Sequence, residues 1–353
     1  MPIRVLVVDD SLVMRSALSK FVRGDPALSL VGTARDGQEG LEMAAKEKPD
    51  VMTLDVEMPV LDGLSALRRL KSEPGPMPRV LMCSTLTVKG SQHALEALKL
   101  GAADFIAKNI ASDAMETFGR EYVAKIKGIA PRRGVVLRPP FGSPSVIASS
   151  KRDIVLIGSS TGGPPVLEEI LASLPAHMPV PIVVAQHMPE LFTKMLAERL
   201  TACCKIKVVH AEPGMPLVPG VAYICPGGQH IRIVKWTSGR YAAEVSERPK
   251  EALYKPSVDE LFESAALTVG AKCAAVVLTG MGEDGKIGAT ALKKAGGVIV
   301  SQSARTCAVY GMPRAVNDAD LTAASLDPKQ IAQAIAALAR SAPALVGTTG
   351  GTT

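Results

Sequence analysis

A serine set among glycines, a histidine closing an apolar run and an aspartate in a glycine-rich turn are the residue types of acyl transfer. This chain carries all three. The serine is Ser160, in Gly158-Ser159-Ser160-Thr161-Gly162, a match to G-x-S-x-G between an apolar run and a helical pattern. Flanking glycines permit a sharp turn and keep side chains off the central hydroxyl. Pro164 and Pro165 suit a first helical turn, where N–H groups lack intrahelical partners. A small-residue turn can also cradle phosphate or merely reverse the chain. Here the lysine of a P-loop and the glycine offsets of G-x-G-x-x-G are both missing, which disfavours phosphate. The base comes from five histidines. His93 belongs to another part of the chain, His177 to a Pro-rich loop, and His210 and His230 flank short strands as structural histidines. His187 closes PIVVAQH, at the carboxyl end of the next apolar run after Ser160. A right-handed crossover would make those two strands neighbours. Asp284, in LTGMGEDG, again follows a buried-type run; an N-cap on the next helix is the lesser alternative for it taken alone. The main chain from Gly280 to Gly282 offers N–H groups to an oxyanion.

A second set is acidic. Asp9 and Asp10 close the first apolar run, Asp55 the third, and Ser84 and Lys108 stand at the ends of the fourth and fifth. Carboxyl ends of parallel strands are where sites form. Clustered carboxylates repel one another unless a cation joins them, and hard oxygens in this small number suit Mg²⁺. A carboxylate can attack phosphorus, and an ammonium with a hydroxyl can hold the phosphoryl oxygens. Helix capping would explain Asp10 alone, but not five polar residues all at strand ends.

The elements that must position these residues follow from periodicity. IRVLVV, LSLVGTA, VMTLDV, RVLMCS and ADFIAK read as strands alternating with helical patterns, which predicts an α/β fold with a parallel sheet covered on both faces. DIVLIG, PIVVAQ, VAYIC, HIRIVKW, CAAVVLTG and GVIVSQ repeat that logic, with a hairpin expected between Tyr223 and Val245. The chain thus divides into 1–125, a Pro/Gly/Ser-rich linker over 126–152 with one apolar run at Val135-Val136-Leu137, a second unit over 153–340, and a small polar tail, 341–353, expected to be disordered.

Composition narrows the function classes. Apolar residues form 47% of the 353 and aromatics only 3%, so the cores must be aliphatic. No apolar run reaches the length of a membrane span, and the start carries two acids straight after its apolar run, unlike a signal peptide; a cytoplasmic protein without membrane insertion is expected. The net charge of +6 is scattered among acids without aromatic interleaving, so a nucleic-acid partner is not expected; the first reading is a solvated basic surface, with attraction to an acidic protein partner as the sharper alternative. The six cysteines lack metal-ligand spacing and read as reduced thiols.

VVDDS, DVEMPVLDG, MCST and DFIAK resemble the receiver domain of two-component response regulators over residues 1–125. GSSTGG, QHMP and LTGMGEDG resemble the catalytic domain of the CheB-type protein-glutamate methylesterases, from about Asp153 to Leu338. The resemblance implies two doubly wound parallel-sheet domains, one flavodoxin-like and one Rossmann-like with an inserted β-hairpin. It implies Asp55 as phospho-acceptor, with Asp9, Asp10, Asp55 and the carbonyl of Glu57 around Mg²⁺, Ser84 as switch hydroxyl, Lys108 as phosphate-binding lysine and Phe105 as a rotating aromatic. In the second half it implies Ser160 as nucleophile, His187 as base, Asp284 as its orienter, and Thr161 with the Met281 N–H supporting the oxyanion, with no cofactor for the ester chemistry. The partners implied are a CheA-type histidine kinase as phosphodonor and methyl-accepting chemoreceptors as substrate, for a monomer whose unphosphorylated receiver covers the active site. Deamidation of receptor glutamines accompanies the esterase in many members. Glu283 departs from the family's usual Asn and adds charge beside Asp284. Two other readings remain: a receiver whose output only binds a partner or DNA, and a nucleotide-binding output.

Overall fold

The computed structural model describes every residue except 74–76, 109–114, 132–138, 237–238 and 342–353. The Val135–Leu137 run and the tail beyond Ser341 therefore lie outside the described residues.

The first domain alternates strand and helix throughout: β1 (Ile3–Val8), α1 (Leu12–Arg23), β2 (Leu28–Ala34), α2 (Gly37–Glu47), β3 (Val51–Asp55), α3 (Gly63–Ser72), β4 (Arg79–Thr85), α4 (Val88–Leu100), β5 (Asp104–Lys108) and α5 (Met115–Ile129). All strand pairs are parallel, in the order β2-β1-β3-β4-β5. Side chains at the helix starts explain where the helices begin: Ser11, Asp36, Asp62 and Thr87 each accept an N–H from the first turn. The apolar runs are buried on both faces because helices cover both, as the absence of polar alternation implies.

The second domain is built from β6 (Ile154–Ser159), α6 (Gly163–Ala172), β7 (Ile182–Gln186), α7 (Glu190–Cys203), β8 (Lys207–His210), β9 (Val221–Ile224), β10 (His230–Lys235), β11 (Tyr241–Ser246), α8 (Val258–Thr268), β12 (Cys273–Val277), α9 (Lys286–Lys294), β13 (Val298–Gln302), α10 (Met312–Asp318), β14 (Ala324–Leu326) and α11 (Pro328–Ser341). Seven parallel strands run in the order β14-β13-β12-β6-β7-β9-β8, and β10 and β11 form the expected hairpin as a separate antiparallel pair. From β6 the chain builds outward through β7 to one edge, then returns through β12 to the other. The order reverses between β6 and β12, and in open parallel sheets ligands bind at such a switch point, beyond the carboxyl ends of the strands.

The described parts of the expected joint lie against their neighbours. Residues 126–129 complete α5, and a short 3-10 helix over Pro144–Ser149 packs on α11, with Ile147 buried and Phe141 bridged to Ser325. The two domains touch. An apolar cluster runs from Leu95 and Phe105 of the first into Phe192, Leu196 and Leu200 of α7. Phe105 and Phe192 stack with centroids 4.4 Å apart and planes 10° apart. Among the described residues no helix is long and apolar enough to cross a membrane.

Candidate active site

Ser160 is the first residue after β6, at the N-terminal end of α6, where Gly162 takes φ +74° and a side chain would be strained. Its main chain is tied down on three sides. The Ser160 N–H donates to Thr279 O (3.0 Å), and its carbonyl accepts from Gly163 N–H (2.8 Å) and Gln186 Nε2 (2.9 Å). The same Gln186 amide donates to His187 O (3.2 Å), and its oxygen accepts from Ser159 Oγ. One side chain thus fixes the backbone of serine and histidine together.

His187 follows β7, the parallel neighbour of β6. Its N–H donates to Ser159 O (3.0 Å), and its Nε2 lies 2.7 Å from Asp284 Oδ2. Nδ1 is buried and has no hydrogen-bond partner among the described residues. The ring stacks on Tyr254, with centroids 4.4 Å apart and planes 10° apart.

Asp284 comes from the loop after β12, which pairs with β6 on its other side. It does not cap the helix that follows it, since the N-cap of α9 is Gly285. Its carboxylate instead meets the start of α8, accepting from Ser257 Oγ (3.1 Å), Val258 N–H (2.7 Å) and Asp259 N–H (2.9 Å), as well as Gly285 N–H (3.0 Å). Burial pushes the carboxyl up. The hydrogen bond to His187 and the N–H groups of α8 outweigh it, leaving Asp284 below the usual carboxylate range and ionised. Asp259, beside it, moves the other way, raised by burial and by the Asp284 charge, although it accepts Gly288 N–H. Glu283 points to solvent and pairs with Lys286 at 2.9 Å, so its charge is answered on the surface.

The sequence expected N–H donors from Gly280 to Gly282. Gly280 is corrected: its N–H donates to Val309 O (3.0 Å) and is spent within the fold. The Met281 N–H has no acceptor among the described residues. The Thr161 hydroxyl is engaged by the first domain, donating to Asp104 Oδ2 at 2.7 Å, and Asp104 is in turn paired with Lys125 of α5. A cavity of about 630 Å³ opens here between the domains, lined by Ser160, His187, Tyr254 and Met281 on one side and by Arg120 and Lys125 on the other.

At the far end of the first domain, Lys108 Nζ sits 2.7 Å from both Asp9 Oδ2 and Asp55 Oδ2. One oxygen from each of Asp9, Asp10 and Asp55 lies within 4.8 Å of the others, Asp10 exposed and the other two buried. Burial raises the Asp55 carboxyl to about 6 against the pull of Lys108, so a cation here would favour its ionised form. The donor set, all hard carboxylate oxygen with an open side at Asp10, fits Mg²⁺. The Glu57 carboxylate turns outward to Lys89 (2.9 Å). Ser84 Oγ is buried and donates to Gly90 O (2.8 Å).

Sequence reading did not single out Gln186, Asp104, Lys125, Tyr254 or the start of α8. Gln186 alone carried a signal, a polar residue ending an apolar run beside the histidine. The others act through contacts between residues more than twenty positions apart in sequence, as Asp104 with Thr161 at 57 shows.

A family model described as CheB methylesterase matches residues 155–335, and one described as response regulator receiver domain matches 5–118. The chain is 47% identical to "Protein-glutamate methylesterase/protein-glutamine glutaminase 1" of Oleidesulfovibrio alaskensis, over 94% of this chain and 98% of that protein. It is 42% identical to "Protein-glutamate methylesterase/protein-glutamine glutaminase 2" of Pseudomonas aeruginosa, over 89% and 90%. The crystal structure of the Thermotoga maritima CheB methylesterase catalytic domain is similar to this one at a TM-score of 0.52 and 39% identity, covering 54% of this chain and 100% of that one.

Proposed function

The chain belongs to the CheB methylesterase family, with a receiver domain ahead of the catalytic one, and from that premise we propose a phosphorylation-regulated serine hydrolase acting on methylated glutamates of chemoreceptors in chemotactic adaptation. The same site deamidates receptor glutamines, the second activity in the names of its relatives. The observation that carries this reading is the His187 Nε2–Asp284 contact, which leaves a buried, unbonded Nδ1 on the cavity that Ser160 lines.

In the reaction, Nδ1 of His187 takes the Ser160 proton as Oγ attacks the ester carbonyl carbon. The imidazolium is stabilised by ionised Asp284, which stays charged throughout. The Met281 N–H and Thr161 face the oxyanion. As the tetrahedral intermediate collapses, His187 returns the proton to the departing methoxide and methanol leaves; for glutamine the leaving group is ammonia. Water, deprotonated by the same nitrogen, then hydrolyses the acyl-serine to the carboxylate and free Ser160.

Regulation lies in the first domain. A CheA-type histidine kinase supplies the phosphoryl group to Asp55, with Lys108 and Ser84 holding its oxygens once Ser84 leaves Gly90 O. Asp9, Asp10, Asp55 and the Glu57 carbonyl would hold Mg²⁺, which neutralises charge during that transfer. Without phosphorylation, Asp104 occupies the Thr161 hydroxyl and the first domain stands over the cavity. Phosphorylation releases that contact. The protein is read as a cytoplasmic monomer.

The test is methanol release from methylated receptor membranes, with and without acetyl phosphate and Mg²⁺. The phosphodonor should raise the rate, and Ser160→Ala should abolish it while Asp55 is still phosphorylated. An active Ser160→Ala protein would overturn the assignment. A non-enzymatic output predicts no methanol release in either state.

A further inference from the structure

The base must keep one nitrogen on Asp284 and present the other to Ser160, yet an imidazole can turn about its Cβ–Cγ bond and exchange the two. Only Nε2 is anchored, at 2.7 Å from Asp284, while Nδ1 has no partner among the described residues. One face of the ring is covered by the Tyr254 phenol, 4.4 Å away between centroids and nearly parallel. Turning the imidazole would sweep its edge through the space that this phenol fills. The phenol also offers its π face to the positive charge that forms when His187 takes the serine proton.

Tyr254 is itself held. The next residue, Lys255, accepts Gly228 N–H on its carbonyl (3.2 Å), and Ser257 N–H donates to His230 Nδ1 (3.2 Å). Ser257, Val258 and Asp259 then supply three of the donors on Asp284. One short segment therefore bears on the acid and the base together. Gly282 leaves room for the ring, since a Cβ there would stand 3.1 Å from Tyr254 Oη.

We propose that Tyr254 is a positioning residue of the hydrolase, locking His187 by stacking in the orientation that presents Nδ1 to Ser160. The proposal rests on the reading of Ser160 as nucleophile. It assigns the work to the ring and none to the hydroxyl.

The experiment uses the full chain with Mg²⁺ and acetyl phosphate, and follows two rates: covalent labelling of Ser160 by a fluorophosphonate, which needs the base but no receptor, and methanol release from methylated receptors. Tyr254→Leu keeps apolar bulk and removes the ring; Tyr254→Phe keeps the ring. Tyr254→Leu should slow labelling and kcat at least about tenfold with KM within twofold, and Tyr254→Phe should restore both to within about threefold of wild type. Labelling of Tyr254→Leu at the wild-type rate overturns the proposal. So does a rise in KM alone, which would make the ring a substrate contact, and so does a Tyr254→Phe loss equal to that of Tyr254→Leu, which would give the role to the hydroxyl. If wild type does not label, or Ser160→Ala labels equally, the reading of Ser160 has failed instead. Should thermal melting show Tyr254→Leu unfolded, Tyr254→Met, flexible enough to repack, is judged by the same criteria.

Discussion

Asp284 receives donors from Ser257, Val258, Asp259 and Gly285 besides His187. Its charge is fixed by the fold before any substrate arrives, so the cost of orienting the base is already met in the resting protein. Asp284→Asn puts an amide N–H₂ where N–H donors converge and removes the charge that stabilises the imidazolium. Methanol release should fall about 10⁴-fold, the loss that Asp→Asn substitution of the orienting acid causes in such triads. Stability should respond as well. A carboxyl whose folded pKa is depressed stabilises the fold above its unfolded pKa of about 3.9 and loses that contribution as pH falls through the folded value. Melting temperatures measured from pH 6 down to pH 2 should therefore drop more steeply for wild type than for Asp284→Asn at the acid end. Parallel curves would show that Asp284 titrates alike in both states.

At the scale of elements, the site depends on how closely α8 approaches β6. A Cβ on Gly158 would stand 2.3 Å from Val258 Cγ1, so the missing side chain in the strand is what lets the N-terminus of α8 reach Asp284. Gly158→Ala should push α8 outward, cost about 1–3 kcal/mol by overpacking, and lower kcat because Val258 N–H and Asp259 N–H leave the carboxylate. Chemical denaturation and methanol release would be measured together, and normal kcat in a destabilised protein would detach α8 from catalysis. The same element marks the boundary of what the sequence could tell. β6, β7 and β12 were legible because each is an apolar run ending in a residue with chemistry, and alternation with helices put all three ends on one edge. β8, of four residues, and β14, of three, are too short to show a period. That Asp284 serves α8 and not its own following helix was illegible, because the contact joins residues 25 and 26 positions apart, a relation set only by packing. The acidic pocket was legible as residue types, but the bond of Ser84 Oγ to Gly90 O was not, since a rotamer leaves no trace in sequence.

For the molecule as a whole, the described residues join the two domains by few polar contacts beside the Phe105–Phe192 stack. Thr161 Oγ1 reaches Asp104, and Arg199 of α7 donates from NH1 to Leu95 O of α4 at 2.9 Å. Arg199 is held in place by Glu168 of α6, at 2.8 Å from Nε and 2.7 Å from NH2. The guanidinium is thus preset on one domain to grip a carbonyl of the other. A hydrogen bond from a charged group contributes about 1.5 kcal/mol or more when half-buried, so its loss would move the closed–open balance about tenfold. Arg199→Ala should accordingly raise methanol release by the unphosphorylated protein by up to about tenfold. The rate under saturating acetyl phosphate should stay within twofold, because the open state makes no use of the contact. An unphosphorylated rate equal to wild type would mean that the apolar stack and the Asp104–Thr161 bond hold the domains without it, and a lowered phosphorylated rate would place Arg199 in the active state.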